Sequence, residues 1–67
     1  MSDIKYPDVD VQLSGEDGNV FSIIGRVSKA LRTAGHDEAA DAFANEAMDQ
    51  ASYDDVLQLV MRTVHTS

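Results

Sequence analysis

Six apolar residues constrain this chain more than anything else in it. Val20, Ile23, Ile24, Val27, Leu31 and Ala34 recur at about 100° per residue, the signature of one helical face. Arg26, Lys29 and Arg32 fall on the opposite side. Asn19 precedes the stripe, where a side-chain oxygen can accept from the first free backbone N–H groups. Gly35 follows it, where a left-handed residue closes a helix, and Arg32 sits near the negative end of the dipole. The spacing predicts a helix over 19–34. Asp17-Gly18 offers a competing signal, since this dipeptide favours a two-residue hairpin turn between residues 11–16 and 19–24. The length of the 3.6-period stripe favours the helix.

The remaining elements follow from the same periodicities. Val9, Val11 and Leu13 alternate with Asp8, Asp10 and Gln12, the pattern of a half-buried strand over 8–13. Residues 1–7 read as a loose terminus, with Pro7 holding Tyr6 extended. Ser14 to Gly18 is dense in turn formers. Asp37 is expected to cap a second helix with the narrow stripe Ala40, Phe43, Ala44 and Ala47. Ser52 and Asp55 have capping-box spacing at the start of a third. Tyr53, Leu57, Val60, Met61 and Val64 form its expected buried stripe, with Arg62 and His65 at its C-terminal end. The expected fold is α+β, mostly α: one N-terminal strand followed by three short helices in a single domain over 1–67. Its expected core is Val9, Val11, Leu13, Val20, Ile23, Ile24, Val27, Leu31, Phe43, Ala47, Leu57, Val60, Met61 and Val64. A lone strand leaves backbone groups unpaired. It can pair with a short extension around His65-Thr66, with a second copy of itself through residues 8–13, or with a strand from another protein.

Composition narrows the function classes. At 67 residues the chain buries only about 60% of its unfolded surface, so well-formed helices or partners must supply stability. It has no cysteine, which removes disulfides and thiolate metal sites and fits a reducing compartment. Twelve acids against five bases give a net charge of −7, which argues against nucleic acid and anionic membranes and permits a basic partner. No apolar run is long enough to span a bilayer, and Met1-Ser2-Asp3 does not begin a secretory signal. The expected location is the cytoplasm.

No residue pattern points to catalysis, a cofactor or a metal. Asp8 and Asp10 followed by Gly15, Glu16 and Asp17 fail the register of a calcium loop, and suit instead a strand edge guarded by charge. His36 and His65 lie in no catalytic motif. The loop Gly15-Glu16-Asp17-Gly18 lacks the lysine of a phosphate loop. Six acids, Glu16, Asp17, Asp37, Glu38, Asp54 and Asp55, stand before or within the first turns of helices, where the dipole favours them. Glu38, Asp41 and Asp49 line the outer side of the second helix as a candidate acidic docking face. Phe21 and Gly25 offer a rival apolar contact, because a glycine within a helix costs about 1 kcal/mol relative to alanine and permits close approach.

The stretch Tyr6-Pro7-Asp8-Val9, Val11-Gln12-Leu13, Asp17-Gly18-Asn19, Phe21, Ile24-Gly25-Arg26-Val27 and Ala30-Leu31-Arg32 resembles small uncharacterised proteins of bacterial genomes, phages and other mobile elements. The match covers residues 6–35. Beyond it only Tyr53, Asp54, Leu57 and Met61-Arg62 look similar, and Thr63 stands where those proteins often carry an aromatic residue. The resemblance implies a compact strand-plus-helices unit of phage or prophage origin and carries no activity. Sequence and resemblance together lead to the expectation of a non-enzymatic acidic protein-binding module, such as a phage-derived inhibitor or modulator of a host system. The alternatives are a structural homo-oligomer or scaffold component and a weak DNA-binding accessory.

Overall fold

The computed structural model describes residues 4–13 and 19–66. Strand β1 (Tyr6–Val11) is followed by helices α1 (Val20–Thr33), α2 (Asp37–Met48) and α3 (Tyr53–Thr63), then by a short strand β2 (Val64–Thr66). The fold is α+β and mostly helical, as the periodicities predict. The turn formers Ser14 to Gly18 lie outside the described residues. Val20 opens a helix, so the hairpin reading of 19–24 does not hold.

Local chemistry explains the helix ends. The Asn19 side chain accepts from the backbone N–H of Phe21 at 2.9 Å and of Ser22 at 3.4 Å. At the other end His36 N–H donates to the Leu31 carbonyl at 2.8 Å and Gly35 N–H to that of Arg32 at 3.0 Å. This pair of bonds is the Schellman closure, which needs a left-handed residue between helix and exit. Gly35 supplies it with φ of 91°. The Ser52 hydroxyl accepts from Asp55 N–H at 3.2 Å, the first half of the expected capping box. The second helix departs from expectation. Its cap position is His36, whose side chain makes no capping bond, and Asp37 is the first helical residue, contributing its charge to the positive helix end.

The strand finds its partner at the far end of the chain. β1 pairs with β2 in parallel, Tyr6 opposite Val64, Asp10 opposite His65 and Val11 opposite Thr66. A parallel pair needs a long crossover, and the three helices provide it. The register slips between Tyr6 and Asp10, a stretch that contains Pro7, which has no N–H to give a ladder. β1 begins earlier than expected, at Tyr6, and Lys5 N–H already donates to the Arg62 carbonyl at 3.0 Å. Residues 4–7 are therefore tied down, and Leu13 lies beyond the strand. His65 belongs to β2 instead of the end of α3.

The core forms where α1, α2, α3 and the small sheet meet. Val9, Val11, Ile23, Ile24, Val27, Leu31, Phe43, Ala47, Val60 and Val64 are buried, as expected. Ala40, Val56 and Leu59 join them. Leu13, Val20 and Leu57 are only partly buried. Met61 is 50% exposed, which overturns its place in the core. The cause is a rotation of α3, which turns Val56, Leu59, Val60 and Thr63 inward. Buried Thr63 satisfies its hydroxyl by donating to the Leu59 carbonyl at 2.7 Å.

Candidate functional site

Where α1 begins and α2 turns into α3, the fold leaves an open apolar groove. Val20, Phe21 and Ile24 form one wall, and Ala47, Met48, Gln50, Ala51, Ser52, Tyr53 and Val56 form the rest. Its space is about 440 Å³. Ile24, Ala47 and Val56 are buried core residues that give it a dry floor, while Phe21 is 71% and Met48 64% exposed at its margins. The turn beneath it is internally bonded. Asp49 N–H donates to the Glu46 carbonyl at 3.1 Å and Gln50 N–H to that of Ala47 at 3.2 Å. The Gln50 side-chain amide donates back to the Glu46 carbonyl at 3.0 Å. A hydrogen-bonded turn presents its side chains in a fixed arrangement, which lowers the ordering cost of binding.

Among the described residues the lining contains no charged side chain. The one aliphatic hydroxyl among them, on Ser52, accepts the capping bond of α3. The groove is suited to hold apolar matter and offers little with which to move a proton. Among the described residues, no group of three or more His, Cys, Asp or Glu side chains converges on a metal-sized site.

The sequence-derived candidates separate in space. Phe21 lines the groove, and Asp49 follows Met48 at its edge. Glu38 and Asp41 lie toward the opposite end of α2, since the eleven residue steps from Glu38 to Asp49 span roughly 16.5 Å at 1.5 Å each. Asp41 is not spare charge, since Arg32 donates to its carboxylate at 2.7 Å. Gly25 is exposed, and a Cβ there would meet nothing within 4 Å. The glycine does not mark a close backbone approach. Met48 carried a sequence signal that periodicity passes over: an apolar residue one step off the Ala40, Phe43, Ala47 stripe, just before a polar turn. Tyr53 belongs to the buried stripe expected of α3, with Leu57 and Met61, yet stands 36% exposed.

A second set of contacts gathers on the sheet. His36 Nε2 lies 3.2 Å from an Asp8 carboxylate oxygen, and His65 Nδ1 lies 3.4 Å from one of Asp10. The His36 ring also packs against Tyr6 with centroids 4.7 Å apart. The hydrogen bond with His36 holds the Asp8 carboxyl below the ordinary value of 3.8. Both strand acids therefore tie β1 to its neighbours as well as charging its edge. The cations of α1 also lie near acids. Arg32 pairs with Asp41, while Arg26 and Lys29 share a surface hollow with Asp8 and Asp10.

No helix among the described residues is long and apolar enough to cross a membrane. Neither protein-family models, nor curated proteins, nor solved structures yield a match to the chain.

Proposed function

We propose that the chain is a non-enzymatic protein-binding module that acts in the cytoplasm and docks its partner in the groove between Phe21, Met48 and Tyr53. One observation carries this reading: two large apolar side chains, Phe21 and Met48, stand in solvent beside a buried floor of Ile24, Ala47 and Val56. Burying a Phe or Met side chain is worth about 1.5–3 kcal/mol, so a partner that covers both gains an anchor. The aromatic Tyr53 adds contact area with few rotors to freeze. A module of this kind also suits an inhibitor or modulator of a host system, the role suggested by the resemblance of residues 6–35 to phage-type proteins.

The acidic side of α2 supports a second role on the same reading. Glu38 and Asp49, without the Arg32-paired Asp41, give an approaching basic surface a field to follow, which raises association rate more than affinity. A homo-oligomer through residues 8–13 has less support than before, because β2 occupies one edge of β1. A DNA-binding accessory has least, because Asp41 answers Arg32, and Asp8 and Asp10 share the hollow of Arg26 and Lys29.

The test is site-specific photo-cross-linking in the source cell, with the reactive group at Phe21, Met48, Glu38 or Asp41. Discrete adducts from positions 21 and 48, with the position-21 adduct lost when Met48→Ser is added, are the expected result. Adducts from 38 and 41 alone would transfer the site to the acidic face. Cross-links only between copies of the chain would leave the homo-oligomer reading in its place.

A further inference from the structure

Helix α3 is apolar on two faces. Its inner face, Val56, Leu59, Val60 and Thr63, is consumed by the core. A second row, Tyr53, Leu57 and Met61, recurs every four residues along its outer side. Tyr53 is 36% and Met61 50% exposed. Tyr53, Leu57 and Met61 line a second hollow with Leu13 and Thr66. Tyr53 belongs to both hollows, so the apolar surface runs without a break from Phe21 and Met48 across Tyr53 to Met61. A helix apolar on two faces is normally covered on both.

We infer that the outer row of α3 is the seat of a partner's amphipathic helix, with an apolar stripe and basic flanks. The inference rests on the groove being a protein-docking site and adds its occupant. Side chains spaced four apart form a ridge that packs into the grooves of another helix. A strand would need a free backbone edge, which the face of a helix does not present. The domain measures 26 × 22 × 22 Å, so about 15 helical residues at 1.5 Å each cross the strip.

Charge selects the sign of the flanks. Asp49 follows Met48 and Asp54 follows Tyr53 in the chain, and both acids are exposed, within a chain of net charge −7. Arg62, next to Met61 in sequence, lines a different hollow with Lys5, Glu46, Leu59 and Thr63. Lysine or arginine beside the partner's stripe would meet Asp49 and Asp54. A second copy would bring like charges together, which opposes self-association.

The probe is a 15-residue synthetic peptide with leucines at helical spacing and lysines flanking them. Its comparators replace every lysine by glutamate, or shuffle the order so that no stripe forms. Fluorescence anisotropy reads affinity and amide chemical shifts map the contact. The lysine helix is expected to bind at least tenfold tighter than either comparator and to shift amides around residues 53–61. Met61→Gln and Phe21→Gln, both at exposed positions, are each expected to weaken it at least fivefold with an unchanged circular dichroism spectrum. Loss in Phe21→Gln with none in Met61→Gln overturns the helix along α3 and leaves groove docking standing. Equal binding by all three peptides, or shifts confined to Glu38 and Asp41, overturns both. A concentration-dependent dimer abolished by Met61→Gln makes the occupant a second copy and overturns the inference.

Discussion

Helices α1 and α3 carry similar apolar weight and use it differently. In α1 the stripe is one arc, and Ile23, Ile24, Val27 and Leu31 all enter the core. Outside that arc the helix leaves one large apolar side chain in solvent, Phe21 in its first turn, and is otherwise polar or empty, with Ser22, Gly25, Arg26 and Lys29. In α3 apolar residues occupy too wide an arc for one core to cover. Packing takes Val56, Leu59 and Val60 and leaves Tyr53 and Met61 outside. Periodicity therefore names the buried face only when polar residues confine it to one arc. Where the arc is wide, the neighbouring elements choose, and the leftover becomes a surface.

The sharpest way to break this contrast is to truncate each face. Leu31→Ala and Leu59→Ala should each cost about 2–5 kcal/mol in urea unfolding, as buried Leu→Ala changes do. Met61→Ala should change stability by no more than about 0.5 kcal/mol, as exposed positions do. If Met61→Ala costs as much as Leu59→Ala, the outer row is core in solution and the contrast is lost.

A smaller effect separates the two capped helices from the uncapped one. Asn19→Ala on α1 and Ser52→Ala on α3 should each lose about 0.5–2 kcal/mol, because each removes an oxygen that accepts backbone N–H groups. His36→Ala at α2 removes no capping bond, so its cost should come only from the Asp8 and Tyr6 contacts. Equal losses in thermal unfolding across all three would contradict the assigned caps.

The two glycines of α1 and its exit should respond with opposite signs. Gly25→Ala is expected to stabilise by about 0.4–1 kcal/mol, since it restricts the unfolded chain at a helical position with open space around it. Gly35→Ala should destabilise by about 1–2 kcal/mol, because alanine resists a φ of 91°. Destabilisation by Gly25→Ala in chemical denaturation would show a close contact there and revive the rival anchor.

The smallest expected effect lies on the sheet. The Asp8 carboxyl is depressed in the folded state, so its contact with His36 stabilises the fold above about pH 3.8. That contribution is lost as pH falls through the lower folded value. Asp8→Asn should therefore lower the melting temperature slightly at pH 5–6, and the gap should close on strong acidification. A gap that persists at the acid end would assign the loss to packing instead of ionisation.

The strand, the three helices, the Asn19 and Ser52 caps and the Gly35 closure were readable from sequence. Each depends on residues within about one helical turn, where steric rules and backbone hydrogen bonding act alone. The partner of β1 was readable only as an alternative, because a parallel pair joins positions at opposite ends of the chain and no local pattern encodes it. One member of the acidic face was overread. Asp41 looked unassigned in sequence, yet it meets Arg32 across the α1–α2 packing. Asp8 and Asp10 looked like edge guards, and their histidines arrive from residues 36 and 65.

Sequence by itself determined where the chain turns helical and which residues can end each helix, because those choices are settled by near neighbours. Tertiary structure alone decided which of two apolar faces of α3 is covered. The core takes up Val56, Leu59 and Val60, and Tyr53 and Met61 stay in solvent. The groove joins positions distant in sequence: Phe21 lies far along the chain from Met48 and Tyr53, and only the docking of α1 against the α2–α3 turn brings it to them.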